Sequence, residues 1–130
     1  MDGQDIALVT AGVIGAVTAL IHGVLTQKFI VMPVDRRLAA DTGVSGQIRR
    51  LTAVLLQYST FSWLAGGLAL IVAALWLEPE ARLSVSLVVG SGYAYAVLGN
   101  AWATRGRHPG WMLLALSVAL TIAGNLGAAG

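Results

Sequence analysis

All fourteen Asp, Glu, Lys and Arg residues of the chain lie outside four long stretches that carry no formal charge, Ile6 to Gln27, Leu51 to Leu77, Leu83 to Thr104 and Pro109 to Gly130. A hydrocarbon core about 30 Å thick takes roughly 20 apolar residues of helix to cross, and these stretches run to 22, 27, 22 and 22 residues. Little chain remains for anything else. With 57% hydrophobic and 11% charged residues there is too little polar surface to cover a water-soluble fold of 130 residues. Inside a bilayer every backbone N–H and C=O must be paired internally, which leaves helices or a closed barrel. Barrel strands alternate apolar and polar residues over about ten positions, and these runs of Ala, Leu, Val and Ile do not. The expectation is an all-α integral membrane protein, a single four-helix up-down bundle with helices near 6–32, 51–77, 83–104 and 110–128.

The charges also give an orientation. Lys28, Arg36, Arg37, Arg49 and Arg50 fall in the first connection and Arg105 and Arg107 in the third, whereas the opposite side has Arg82 alone. Basic residues in short loops favour the cytoplasmic side, so both termini are expected outside the cytoplasm, in a bacterial inner membrane. Asp2, Asp5, Glu78 and Glu80 lie on the outer side and only Asp35 and Asp41 on the inner, giving +5 inside and −3 outside. Anionic inner-leaflet lipid favours this by about 1 kcal/mol per basic residue near the surface. With a net charge of only +2, the pI near 9.5 is not a nucleic-acid signal. The first segment follows Asp2 and Asp5 and is too long for a signal peptide, so it reads as a retained helix. Pro33, Pro79 and Pro109 fall at segment ends, where they stop or start helices. Pro33 is expected to end helix one.

Ala11, Gly15, Ala19 and Gly23 recur every four residues and make a ridge of small side chains on helix one. Gly66 and Gly67 on helix two, and Gly92 and Gly99 on helix three, offer matching surfaces. Close approach over small residues is a main source of helix association in lipid, either within one bundle or between subunits. His22 shares a face with Thr18 and Thr26. Gln57 and Tyr58 sit at a comparable depth on helix two and Asn100 on helix three, so these form an expected polar layer in the cytoplasmic half. Polar groups there are costly unless paired and face the interior. Interhelical hydrogen bonding is the plainer use of that layer; contact with a ligand, or proton handling by His22, is the functional one. Ser117, Thr121 and Asn125 form a second, weaker polar stripe. Arg49, Arg50, Arg105 and Arg107 are candidates for contact with anionic lipid head groups.

There is no cysteine and no carboxylate within the charge-free stretches, and one buried His cannot supply two axial ligands, so no metal, haem or other cofactor is expected. A glycine-rich phosphate loop, an HExxH pair and a nucleophile elbow are all absent from the sequence. These absences favour a non-enzymatic membrane protein that works by association, as a homo-oligomer or an accessory subunit, with lipid or another apolar molecule between its helices. A divergent glutathione- or lipid-modifying enzyme and a small transporter using the polar layer are the alternatives.

Three stretches carry a family likeness. Gly92-Tyr93-Ala94-Tyr95 through Leu98-Gly99, then Arg105-Gly106-Arg107-His108-Pro109-Gly110, then Leu113 to Leu126 follow a helix, a short basic turn and a helix; Thr42-Gly43 and Arg49-Arg50 are placed before helix two. This layout resembles the membrane-associated eicosanoid and glutathione metabolism family. The resemblance implies a trimer that holds lipophilic ligands between subunits near the inner face. Where glutathione-binding members carry an Arg, Asn and Glu constellation, Leu51 to Ser62 offers only Gln57 and hydroxyls after Arg50, so thiol conjugation is not implied.

Overall fold

The structure, a computed structural model, describes residues 1–41 and 43–126. Thr42 of the expected Asp41-Thr42-Gly43 turn and positions 127 and 128 of the expected fourth helix lie outside the described residues. The rest is helical: α1 Gly3–Thr26, a widened π turn Gln27–Val31, α2 Met32–Ala40, α3 Gly46–Trp76, α4 Pro79–Ala103 and α5 Gly110–Ala123. Three helical runs are long and apolar enough to cross a membrane, Gly3–Ala40, Gly46–Trp76 and Pro79–Ala103. The last helix is shorter than expected. Its 14 residues span roughly 21 Å at 1.5 Å per residue, less than a bilayer core.

The helices begin before the charge-free stretches in α1, α3 and α4, and the first helical run continues past its stretch to Ala40. Charge marks where lipid stops, whereas helix ends follow capping. Asp2 starts α1 four residues before the Ile6 end of its stretch: its carboxylate accepts from Gln4 N at 2.8 Å and Asp5 N at 2.9 Å, and Asp5 returns a bond to Asp2 N at 3.0 Å. This reciprocal box satisfies donors that the first turn leaves open. Ser45 caps α3 through Ile48 N, so the helix begins at Gly46 and carries Arg49 and Arg50 in its first turns. Pro79 opens α4, where its missing N–H has no cost.

Pro33 does not end helix one. The chain stays helical to Ala40 because the turn before the proline is widened, with Met32 N–H bonding Gln27 O five residues back. A proline inside a helix removes one N–H and crowds the carbonyl four residues earlier. An extra residue in the preceding turn relieves both problems, and such π turns are a known accommodation.

Neighbours pack antiparallel in a ring. Gly12 meets Gly67 and Gly23 meets Thr60 across α1 and α3; Gly66 meets Val89 across α3 and α4; Ser117 bonds Ala11 across α5 and α1. α4 closes the ring against α5, Gly90 lying beside Thr121. The core is Leu8, Ala11, Ala19, Leu70, Ala73, Tyr93 and Leu114, with Trp63 at its edge.

The two ends of the bundle are tied differently. At the acidic end Arg82 donates to Asp5 Oδ1 at 2.7 Å and to Gly124 O at 2.9 Å, joining the starts of α1 and α4 to the end of α5. A cation on the last carbonyls of a helix also meets the negative end of its dipole. At the basic end Arg49 grips Asp35 with two parallel bonds of 2.9 Å, fixing α2 on α3. This pair lies beyond the charge-free stretches, and its hydrogen bonds from Arg49 hold the Asp35 carboxyl below the usual carboxylate range. The turn after α4 uses positive φ at Arg105 (51°) and Gly106 (73°), and Gly106 N bonds Ala101 O at 2.8 Å to close the helix.

Candidate functional site: a cleft between α3 and α4

Tyr93 is the hinge of the bundle interior. Its hydroxyl donates to Trp63 O at 2.7 Å and its ring covers Gly15, so one α4 side chain touches both α3 and α1. Around this contact α3 and α4 stand apart and leave a cleft of about 740 Å³. Its α4 wall is the face of Gly92, Ala96 and Gly99, and its α3 wall includes Ala65, Gly66 and Ala69. A methyl group built on Gly92 or Gly99 would meet nothing within 4 Å.

The cleft is polar at one end only. His22 and Thr26 from α1, Ser59 and Ser62 from α3, and Asn100 from α4 lie towards the basic loops, with Tyr58 among the lining residues there. Val88, Val89 and Ala69 line the part towards the acidic end. Among the described residues no Asp, Glu, Lys or Arg lines it. A charged guest would therefore find no counter-ion, and an unpaired charge in such surroundings is expensive by several kcal/mol.

His22 is held rather than loose. Its Nε2 lies 3.2 Å from Ser59 Oγ and 3.1 Å from Thr26 Oγ1, and its ring stands 4.4 Å from that of Trp63 at 45°. Ser59 and Thr26 also line the cleft, so this nitrogen faces the guest side. Asn100 donates to Ala96 O at 2.8 Å, a bond that leaves its side-chain carbonyl oxygen unused. Behind His22, Trp63 and Asn100 lies a second, small cavity of about 40 Å³.

The expected polar layer is brought together in part. His22, Tyr58 and Asn100 line the cleft, but Gln57 does not. Its amide is spent within the α1–α3 seam, donating to Gly23 O at 3.2 Å and Gln27 Oε1 at 3.0 Å and accepting from Thr60 Oγ1 at 2.9 Å. One residue along a helix turns a side chain by about 100°, so adjacent Gln57 and Tyr58 serve different interfaces. Depth alone placed them in one layer.

The small residues divide likewise. Ala11, Gly15 and Ala19 are buried, and Gly23 packs on Thr60. Gly67 faces Gly12, each virtual Cβ lying 2.5 Å from the other's carbonyl oxygen. Gly66 lines the cleft beside Val89, while a Cβ on Gly92 or Gly99 would meet nothing within 4 Å among the described residues. Ser117, Thr121 and Asn125 bond mostly back into α5, and only Ser117 crosses, to Ala11 O at 2.8 Å.

Of the four arginines singled out, Arg105, Arg107 and Arg50 are exposed at the basic end, whereas Arg49 is engaged by Asp35. Arg49 and Arg50 flank a surface hollow of about 410 Å³ beside the π turn, with Asp35 in its wall. The carboxylate pairs with Arg49, which leaves Arg50 as the guanidinium of the two with no carboxylate partner among the described residues. Among the described residues no group of three His, Cys, Asp or Glu side chains converges on a point.

Several residues that shape the site escaped the sequence reading. Gly12 lies three residues before Gly15, and a ridge traced only in steps of four passes over it. Ser62 and Trp63 follow Ser59 by three and four residues on one face of α3, which makes them readable once the cleft face is known. Tyr93 carries no signal of its reach, because nothing local says that a tyrosine will cross the bundle to a glycine. No family model matches the chain, and no curated protein or solved structure matches it.

Proposed function

We propose that the protein is a small inner-membrane protein that holds an uncharged, lipid-like molecule in the α3–α4 cleft and acts through association, as a homo-oligomer or a subunit of a larger membrane complex. The observation that carries this reading is the cleft itself, about 740 Å³ and walled by the uncovered glycine face of α4. Its volume falls in the usual range for small-molecule sites, roughly 300–1,000 Å³. A groove between membrane-spanning helices borders acyl chains. Its polar end, at His22 and Asn100, lies towards the basic loops, where a head group would sit, and its apolar part runs towards mid-membrane. The guest is uncharged because the lining offers no ion to pair with it.

The same reading keeps the termini outside the cytoplasm. Arg36, Arg37, Arg50, Arg105 and Arg107 are exposed at one end of the bundle, and such an excess favours the cytoplasmic side. Because the chain has no native cysteine, Ala81→Cys should react with an impermeant thiol reagent in intact cells and Gln47→Cys only after permeabilisation.

Native mass spectrometry from a gentle detergent tests the cleft. Wild-type protein should carry a bound neutral lipid, and Gly99→Leu, whose Cβ enters open space and whose side chain would occupy the groove, should lose it. An unchanged adduct in Gly99→Leu, or none in the wild type, would defeat the proposal. The same spectrum counts subunits, so it also reads the trimer that the family resemblance implies.

A further inference from the structure

The small cavity behind His22 has the features of a site for one water. Its volume is about 40 Å³, above the roughly 10–15 Å³ that a water needs. Thr18, His22, Asn100 and His108 line it, enough polar groups for the two to four bonds an internal water makes. The Thr18 hydroxyl is the second, independent sign. Thr18 is 6% exposed and its Oγ1 has no protein partner. A buried hydroxyl left unpaired costs about 1–3 kcal/mol, and a water in this cavity removes that cost.

The site has two doors. His108 belongs to the exposed basic turn, and its Nδ1 accepts from Gly110 N at 3.1 Å, which turns Nε2 into the free nitrogen. His22 engages Ser59 and Thr26 through Nε2, which leaves Nδ1 for the small cavity. His108 is the only other titratable side chain lining the cavity.

We propose that this cavity binds one ordered water that connects His108 at the loop surface to His22 at the polar end of the cleft, forming a proton-exchange path between them. Solvent delivers a proton to His108 Nδ1 as the Nε2–H proton passes to the water and one of the water's own protons passes to His22 Nδ1, so each bond formed to hydrogen is matched by one broken and His108 stays neutral. The use of this path by a cleft guest rests on the reading above. The path itself does not.

The experiment reads proton exchange at the His22 ring by nitrogen-15 NMR of histidine-labelled full-length protein in nanodiscs. Thr18→Val and His108→Leu should each slow exchange by roughly tenfold or more, a modest rise in barrier, while Thr18→Ser should keep the wild-type rate. Gly99→Leu, which blocks the cleft, should leave exchange unchanged. Rates unaffected by both Thr18→Val and His108→Leu, or slowed only by Gly99→Leu, would overturn the proposal. No bound lipid in the wild type, or an unchanged adduct in Gly99→Leu, with exchange behaving as expected would instead count against the cleft reading alone.

Discussion

In the α1–α3 seam glycine faces glycine, and in the α3–α4 cleft glycine faces open space. Gly12 and Gly67 bring two backbones so close that a methyl on either would lie 2.5 Å from the opposing carbonyl oxygen. Contacts at that range collect many small dispersion terms and weak Cα–H···O bonds, which matter in lipid, where apolar burial alone gains little. Gly92 and Gly99 are the same residue type, yet a methyl built on either would meet nothing within 4 Å. Small residues thus do two jobs here: in one place they let helices touch, and in the other they keep a wall flat.

The sharpest way to break this contrast is Gly12→Leu, which should leave no folded protein by gel filtration, while Gly99→Leu elutes as wild type. Within the seam, Gly67→Ala should lower stability by about 1–3 kcal/mol in a detergent unfolding titration. Gly15→Ala should do the same through Tyr93, and Tyr93→Phe should relieve part of that loss, a coupling that a double-mutant cycle measures.

Arg82→Ala comes next, because α4 is anchored beside the cleft by that side chain. The Arg82 and Asp5 side chains are 12% and 21% exposed, so losing the charged bonds to Asp5 and Gly124 should cost about 1.5–3 kcal/mol. The basic-end pair is more open, 34% and 41% for Arg49 and Asp35, and Arg49→Ala should lower stability less than Arg82→Ala because solvent screens the pair. Smallest and opposite in sign, Gly92→Ala should stabilise by up to about 1 kcal/mol through helix propensity alone. A loss there would mean that the face is covered in the membrane by another chain.

Much of the architecture was legible residue by residue. Three of the four charge-free runs lie in helices long and apolar enough to cross a membrane, since burying a charge in lipid is costly whatever the fold, whereas the fourth run holds a helix of only 14 residues. Helix ends were harder, because Asp2, Ser45 and Pro79 start helices in water-facing chain where hydropathy says nothing. Pro33 was misjudged for a related reason: a proline's cost depends on the preceding turn, and the widened turn at Gln27–Val31 absorbs it. Of the polar residues, His22 and Asn100 were visible as exceptions in apolar runs, whereas Thr18 looked ordinary until its hydroxyl was found buried without a partner.

By itself the sequence determined that this is a helical membrane chain, which end is basic, and which few polar groups lie at depth, because those follow from transfer energies of single residues. Only the tertiary structure decided which glycines are buried and which are bare, that Gln57 belongs to the seam and Tyr58 to the cleft, and that Arg82 locks the acidic end. Those outcomes depend on helix rotation, and a rotation of one residue exchanges one interface for another at almost no change in hydropathy.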